Sequence, residues 1–297
     1  MTDEMDTTRR QHVLAAAMAV AAIVTIITVV VGPWRGRPVP ESTGGSAMSE
    51  PAPPPGDTRG AHLIVSPASV PLGADVALIL ANPGRTETSF GPSGTLERWQ
   101  GGSWRPFRQV TTSLGANQPA GGLHDLDEEI MVPAIALVAG ARSFGEPVWT
   151  SVQGVDAGWY RFGLGGAHGI VRVGAPDSST ITRPSGEVVL GGTTVVEAGT
   201  PGELSLSPQL REPGSGVQPP IEEVVGRYTS GARVERLEDG RWETLPSDTI
   251  GTADAVVDSP TTFGVSVPAL EPGVYRVGRD TSGAGTAEAL FWAQPLS

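Results

Sequence analysis

The chain has 297 residues, no Cys and a formal charge of −12, with 20 basic residues against 32 acidic ones. Every basic residue is Arg, and from Ala61 onward 15 Arg stand against 26 acids; with no basic stripe to hold phosphates, nucleic acid is excluded as a partner. Absent Cys excludes disulfides, thiolate metal sites and thiol nucleophiles, while 40 Gly, 27 Pro and a charged fraction of 18% suit short strands and tight turns in about two domains.

The first predicted element is a membrane span. Residues 1–12 form a polar tail, and residues 13–31 then run without a charge, with Thr25 and Thr28 the only polar side chains. At ~1.5 Å per residue such a helix covers about 28 Å, close to the hydrocarbon thickness of a bilayer. A cleaved signal would have a shorter apolar run followed by a small-residue cleavage site, whereas "GPWRGRP" follows here, with Trp34 at the interface. We therefore expect a retained transmembrane helix over residues 13–32. Arg9 and Arg10 on one side balance Arg35 and Arg37 on the other, so charge does not orient it. A tail this short ordinarily stays inside, which makes it cytoplasmic and the rest extracytoplasmic, on a single-pass anchor in the cell membrane. Ala15/Ala19 and Ala17/Ala21 have the spacing that lets two anchors pack closely, or are filler.

Residues 33–60 are Pro-, Gly- and Ser-rich, too polar to fold, and are expected to be a disordered stalk. Two halves follow, residues 61–175 and 187–297, separated by a polar linker at 176–186. Each opens on an apolar strand, "VALILAN" from Val76 and "ELSLSPQL" from Glu203.

Next, each half carries a hairpin, "LERWQGGSWRPF" from Leu96 and "VERLEDGRWETL" from Val234. Gly101-Gly102 and Asp239-Gly240 are two-residue turn signals that fix the register. In the second hairpin Glu238 then faces Arg241, Leu237 faces Trp242, Arg236 faces Glu243 and Val234 faces Leu245. In the first, Trp99 faces Trp104, Leu96 faces Phe107, and Arg98 faces Arg105, a repulsion needing an acid such as Glu87 nearby.

Near the end of each half comes "VDAGWYRFG", with Asp156, Gly158 and Tyr160, and "LEPGVYRVG", with Glu271, Gly273 and Tyr275. Last strands follow, "GIVRV" and "AEALFWA". The acid–Gly–Tyr spacing is similar to the tyrosine corner of immunoglobulin-type sandwiches. With the two hairpins, whose Glu97, Arg98, Gly102 and Trp104 match Glu235, Arg236, Gly240 and Trp242, and with Gly158, Tyr160 and Arg161 matching Gly273, Tyr275 and Arg276 in the later strand, the chain resembles bacterial Ig-like domains. The resemblance covers about four-fifths of the chain. It implies an all-β fold, two tandem Ig-like β-sandwich domains, in which Tyr160, Tyr275 and Trp242 are structural and Phe162 and Val277 take the place of the second Cys of antibody domains.

Candidate binding residues are weaker signals. Trp99 and Trp104 could form an aromatic platform or pack within the sheet. Arg211 and Tyr228 lie on the long insertion at 211–231, and loops carry binding in such folds. Asp125, Asp127 and Glu128 are the candidates for an oxygen-ligated metal, though no Gly stands where a calcium loop turns. Nothing supports a nucleophile elbow, a zinc set or a phosphate-binding loop. No enzyme and no cofactor is expected. The leading expectation is a membrane-anchored module that binds another envelope or membrane protein through loops. A structural spacer or subunit of an envelope assembly is the alternative, and a carbohydrate- or metal-dependent module is third. A spacer should join its domains rigidly; a binder should expose an apolar patch.

Overall fold

The computed structural model describes residues 52–114, 120–131, 136–175, 180–182, 184, 186–211, 220–252 and 262–296. The expected tail, the span and most of the stalk lie outside them. Among the described residues no helix is long and apolar enough to cross a membrane. By contacts the chain divides into Met1–Ser49 and Glu50–Ser297, and every described residue belongs to the second unit.

Its first half runs β1 (His62–Ser66), β2 (Ser69–Val70), β3 (Asp75–Asn82), β4 (Thr88–Phe90), β5 (Ser93–Gln100), β6 (Ser103–Thr111), β7 (Ser113–Leu114), β8 (Leu123–His124), β9 (Leu137–Ala139), β10 (Ser143–Phe144), β11 (Val148–Ser151), β12 (Gly158–Leu164) and β13 (Ala167–Val173). One sheet has the order β1-β3-β11-β7 with β10 also on β3; the other runs β2-β13-β12-β5-β6-β8, and β4 pairs with β9. Alternate side chains of the two sheets meet between them: Leu63, Val65, Leu78, Leu80 and Val148 from one, Leu96, Val110, Tyr160, Phe162, Val171 and Val173 from the other. At the end of β3 the chain turns around Asn82, 3% exposed. Its amide donates to the carbonyls of Thr86, Ala139 and Gly140, and its side-chain oxygen accepts from Gly84 N.

The second half runs β14 (Val188–Gly192), β15 (Val195–Glu197), β16 (Gly202–Leu210), α1 (Ile221–Val225), β17 (Arg233–Glu238), β18 (Arg241–Thr244), β19 (Gly251–Thr252), β20 (Phe263–Val267), β21 (Gly273–Thr281) and β22 (Gly285–Gln294). Its ladder order is β18-β17-β21-β22-β14-β16-β20-β19, with β15 also on β22. One parallel pair, Val189↔Glu288, joins β14 to β22. On either side of that pair the sheet folds over a core in which Leu190, Leu204, Leu206 and Val265 meet Val234, Tyr275, Val277 and Phe291. The pairing order therefore recurs. β14-β16-β20-β19 repeats β1-β3-β11-β7, and β15-β22-β21-β17-β18 repeats β2-β13-β12-β5-β6, including the parallel contact of β15 and of β2 with the last strand. The described residues are almost wholly β, and their facing sheets fit an Ig-like β fold. Among the described residues the one α-helix, α1, lies in the 211–231 insertion. It starts after Pro220, carries Glu222 and Glu223 in its first turn and buries Val225, each favourable at a helix start or against a core.

Turn chemistry set the hairpin registers. Asp239 and Gly240 have φ of 46° and 75°, Gly101 and Gly102 58° and 77°, the left-handed pair that a two-residue hairpin needs. The second hairpin pairs Glu238↔Arg241, Leu237↔Trp242 and Arg236↔Glu243, and Leu245 N donates to Val234 O. The first pairs Trp99↔Trp104, Arg98↔Arg105 and Glu97↔Pro106, then departs from expectation: Leu96 faces Arg108, not Phe107. Pro106 has no N–H for the ladder, and a bulge there re-aims the next side chain. Phe107 turns toward Tyr160, ring centroids 5.7 Å apart. The acid beside Arg98 is Asp156, at 3.6 Å, rather than Glu87.

A third apolar layer joins the halves. Ala77 and Ile79 on the outer side of β3 and Trp149 of β11 pack with Val274, Leu290 and Trp292 of β21 and β22, and Ile181, between the halves, completes it. That is why seven of the eight residues of β3 are buried: the strand has a core on each face. Domains in one chain move against each other unless the contact is large and apolar, and this one is apolar throughout its centre.

Candidate functional site

The outer faces of the β13-β12-β5-β6 sheet and of its counterpart carry the same constellation. Arg161 of β12 donates from Nε to Glu97 of β5 at 2.6 Å, and its guanidinium lies 4.9 Å from the ring centre of Trp104. Arg276 of β21 donates from Nε and Nη2 to Glu235 of β17 at 2.9 and 2.6 Å, and lies 4.7 Å over Trp242. Strand pairing dictates this, since Arg161↔Glu97 and Arg276↔Glu235 are cross-strand partners. Each carboxylate neutralises a guanidinium that the ring holds flat by cation–π attraction.

On the inner side the two tyrosines close corners. The Tyr160 hydroxyl donates to Asp156 O at 2.9 Å and the Tyr275 hydroxyl to Glu271 O at 2.8 Å. Both rings are almost fully buried, and burial pushes both phenols above their ordinary value. The acid of each corner also holds an Arg: Asp156 with Arg98, and Glu271 with Arg236, whose Nη1 donates at 2.6 Å.

Two rows of side chains cross the outer face of the first half. One holds Arg172, Trp159, Trp99 and Trp104 in strand order, fixed by the pairs Arg172↔Trp159 and Trp99↔Trp104 and by Tyr160↔Arg98 one residue on. The other holds Ile170, Arg161, Glu97 and Pro106. All three Trp are half-buried, with Trp99 and Trp104 5.1 Å apart and Arg172 5.7 Å over Trp159. Residues 54–58 and 60–63 stand across a cleft of about 610 Å³ from Trp99, Trp104 and Arg161. Chemically this is a π-rich surface edged with guanidinium, its Trp99 and Trp104 rings tilted at 60° to each other, suited to recognition.

The equivalent row of the second half is Trp292, Val274, Leu237 and Trp242, and it is not free. Trp292 and Val274 are in the layer under the first half, with Leu237 and Trp242 packed at its margin. Beside it lies a cleft of about 210 Å³ lined by Trp149, Trp292, Glu146 and Glu288.

The remaining candidates are dispersed. Tyr228 packs edge-on to Phe263 at 5.0 Å, with the buried Arg279 guanidinium 4.3 Å over its ring, and among the described residues its buried hydroxyl has no hydrogen-bond partner. Arg211 follows β16, its N–H bonded to Glu187 O, and residues 212–219 beyond it lie outside the described set. Asp125 pairs with Arg108, Glu128 Oε1 lies 3.2 Å from His124 Nδ1, and Asp127 is exposed. Among the described residues no group of three His, Cys, Asp or Glu could hold a metal ion. Sequence reasoning passed over Trp149, Trp159, Arg172 and Trp292. The signal available was "VALILAN" itself, apolar on both of its faces.

The chain matches no protein family and no curated protein. Among solved structures it is similar to a chimeric titin Z1Z2-Z1Z2 tandem functionalized with a GRGDS peptide from fibronectin, at 12% identity over 79% of this chain and 98% of that one, with a TM-score of 0.21.

Proposed function

We propose that this is a non-enzymatic, single-pass membrane protein whose two tandem Ig-like domains, of the bacterial kind, stand outside the cell membrane as one stiff arm, a structural subunit of an envelope assembly. The observation that carries the reading is the apolar layer between the halves, in which Trp149 and Trp292 are 1% and 2% exposed. A joint of that kind favours a spacer of fixed length over two independently swivelling binding modules. The 19-residue apolar run and the Pro-rich stalk supply the anchor and tether.

A second reading, binding through a loop, is favoured by residues 123–131, where Leu126 and Met131 are 48% and 97% exposed among acidic neighbours.

The test uses the absence of Cys. Ser247→Cys, at an exposed site, should react with a membrane-impermeant maleimide on intact cells; reaction only after lysis overturns the exported arrangement. Spin-label distances between Ser247→Cys and Gly102→Cys should give one narrow distribution in the full chain. A broad one overturns the stiff arm and leaves the loop reading.

A further inference from the structure

The row that is covered in the second half is uncovered by any sheet in the first, and its composition says what fits it. We propose that the outer face of β13-β12-β5-β6 is a homodimer interface, docking the same face of a second copy about a two-fold axis parallel to the strands.

An isologous contact must be complementary to itself. A two-fold along the strands inverts strand order, so the first row, Arg172–Trp159–Trp99–Trp104, meets its own reverse. Arg172 then lies over Trp104 of the other copy, a cation–π contact, and Trp159 over Trp99. The second row, Ile170–Arg161–Glu97–Pro106, behaves the same way: Ile170 covers Pro106, and Arg161 of each copy meets Glu97 of the other. Every position finds a chemically matched partner. A two-fold across the strands would instead exchange the two rows, setting Arg172 on Ile170 and Trp99 on Glu97, pairs that lack this match.

Charge beyond the rows agrees. β8 is the far edge of this sheet, and the acids Asp125, Asp127, Glu128 and Glu129 follow it in sequence. Inversion brings that edge toward the opposite edge of the second copy, where Arg172 and His168 are exposed. An axis along the strands also leaves both stalks at the same end. Two chains anchored in one membrane can therefore form it; that last point rests on the anchored reading above, the matching of rows does not. Residues 54–58, which line the cleft, are exposed; the Arg59 bonds to Asp57 stay within the segment and the Gly60 carbonyl, 2.9 Å from His62 Nδ1, holds only its β1 end, so residues 54–59 can swing aside with those bonds intact.

Two full-length versions with different tags, Arg172→Cys and Pro106→Cys, both at exposed positions, are co-expressed and treated with a short bismaleimide. The expected product is the mixed 172–106 dimer, at least tenfold over 172–172 and 106–106. Predominance of the like-with-like products overturns the axis, and no product overturns the interface. Sedimentation of the Cys-free full chain in density-matched detergent is the second measurement. It should show a dimer that Arg172→Glu and Trp159→Arg each weaken at least tenfold. A monomer, or a dimer indifferent to both, overturns the proposal. Neither readout depends on which side of the membrane the domains face, so its failure is separable from failure of the labelling test above.

Discussion

Trp149 and Trp292 come from different halves of the chain and meet edge to face, ring centroids 5.8 Å apart at 62°, both almost fully buried. Removing either ring leaves a cavity the two sheets cannot close without shifting. Trp149→Ala and Trp292→Ala should each cost ~3–5 kcal/mol. The double mutant should cost less than the sum by ~0.5–1.5 kcal/mol, the coupling of an aromatic pair. Urea unfolding of the four proteins measures it; strict additivity would mean that the rings do not interact.

The two Arg–Glu pairs differ in what stands behind them. Arg276 has Glu288 at 3.5 Å as a second acid, while among the described residues Arg161 has Glu97 alone. Glu97→Gln and Glu235→Gln should each destabilise by ~1.5–3 kcal/mol, the net worth of a hydrogen bond to a charged group, with the Glu97 change the larger. Hydrogen exchange, read separately in β12 and β21, orders the two.

Burial holds the phenols of Tyr160 and Tyr275 above their ordinary value of 10.0, so the native state keeps protons that the unfolded chain releases. Their contribution is complete below pH ~10 and is lost as pH climbs from there through the raised native values. Stability should be flat through neutral pH and fall above ~10. Tyr160→Phe with Tyr275→Phe should lower it by ~1 kcal/mol per lost hydrogen bond at pH 7 and flatten the alkaline fall. An unchanged alkaline slope in the Phe protein would place its origin elsewhere.

Gly101 occupies the position that Asp239 fills in the other hairpin, with positive φ at both and no atom within 4 Å of a Cβ built at Gly101. Gly101→Asn should stabilise by ~0.4–1 kcal/mol, because Asn accepts that conformation and narrows the unfolded ensemble. Gly165→Ala should do the opposite. Its φ is 55° and its Cβ would meet the Phe90 ring at 2.1 Å. Melting temperatures of the two variants should move in opposite directions.

Local chemistry was legible in the sequence. Two-residue turns with Gly or Asp-Gly admit one hairpin register, so Leu237 with Trp242 and Trp99 with Trp104 could be paired by counting. The acid–Gly–Tyr spacing likewise marked where each hydroxyl reaches back four residues. Counting failed at Leu96 because a bulge at Pro106 inserts one residue, and a missing N–H signals a defect in the ladder without saying which way the chain will absorb it. Arg98 was expected near Glu87 and found Asp156, 58 positions downstream, since opposite-charge partners are chosen by the sheet and not by proximity along the chain.

By itself, then, the sequence determined what depends on neighbours along the chain: all-β structure, the order of strands in each half, the turns and the tyrosine corners. Tertiary structure alone decided which outer sheet face is covered. Trp292, Val274, Leu237 and Trp242 occupy the same strand positions as Arg172, Trp159, Trp99 and Trp104, yet the first set lies against β3 and β11 of the other half and the second does not. Alternation along a strand says which residues point outward. Whether outward means solvent or a second apolar sheet is a matter of how two folded surfaces dock: "VALILAN", apolar on both faces, marks a strand covered twice, but no local pattern says which face of the other half covers it.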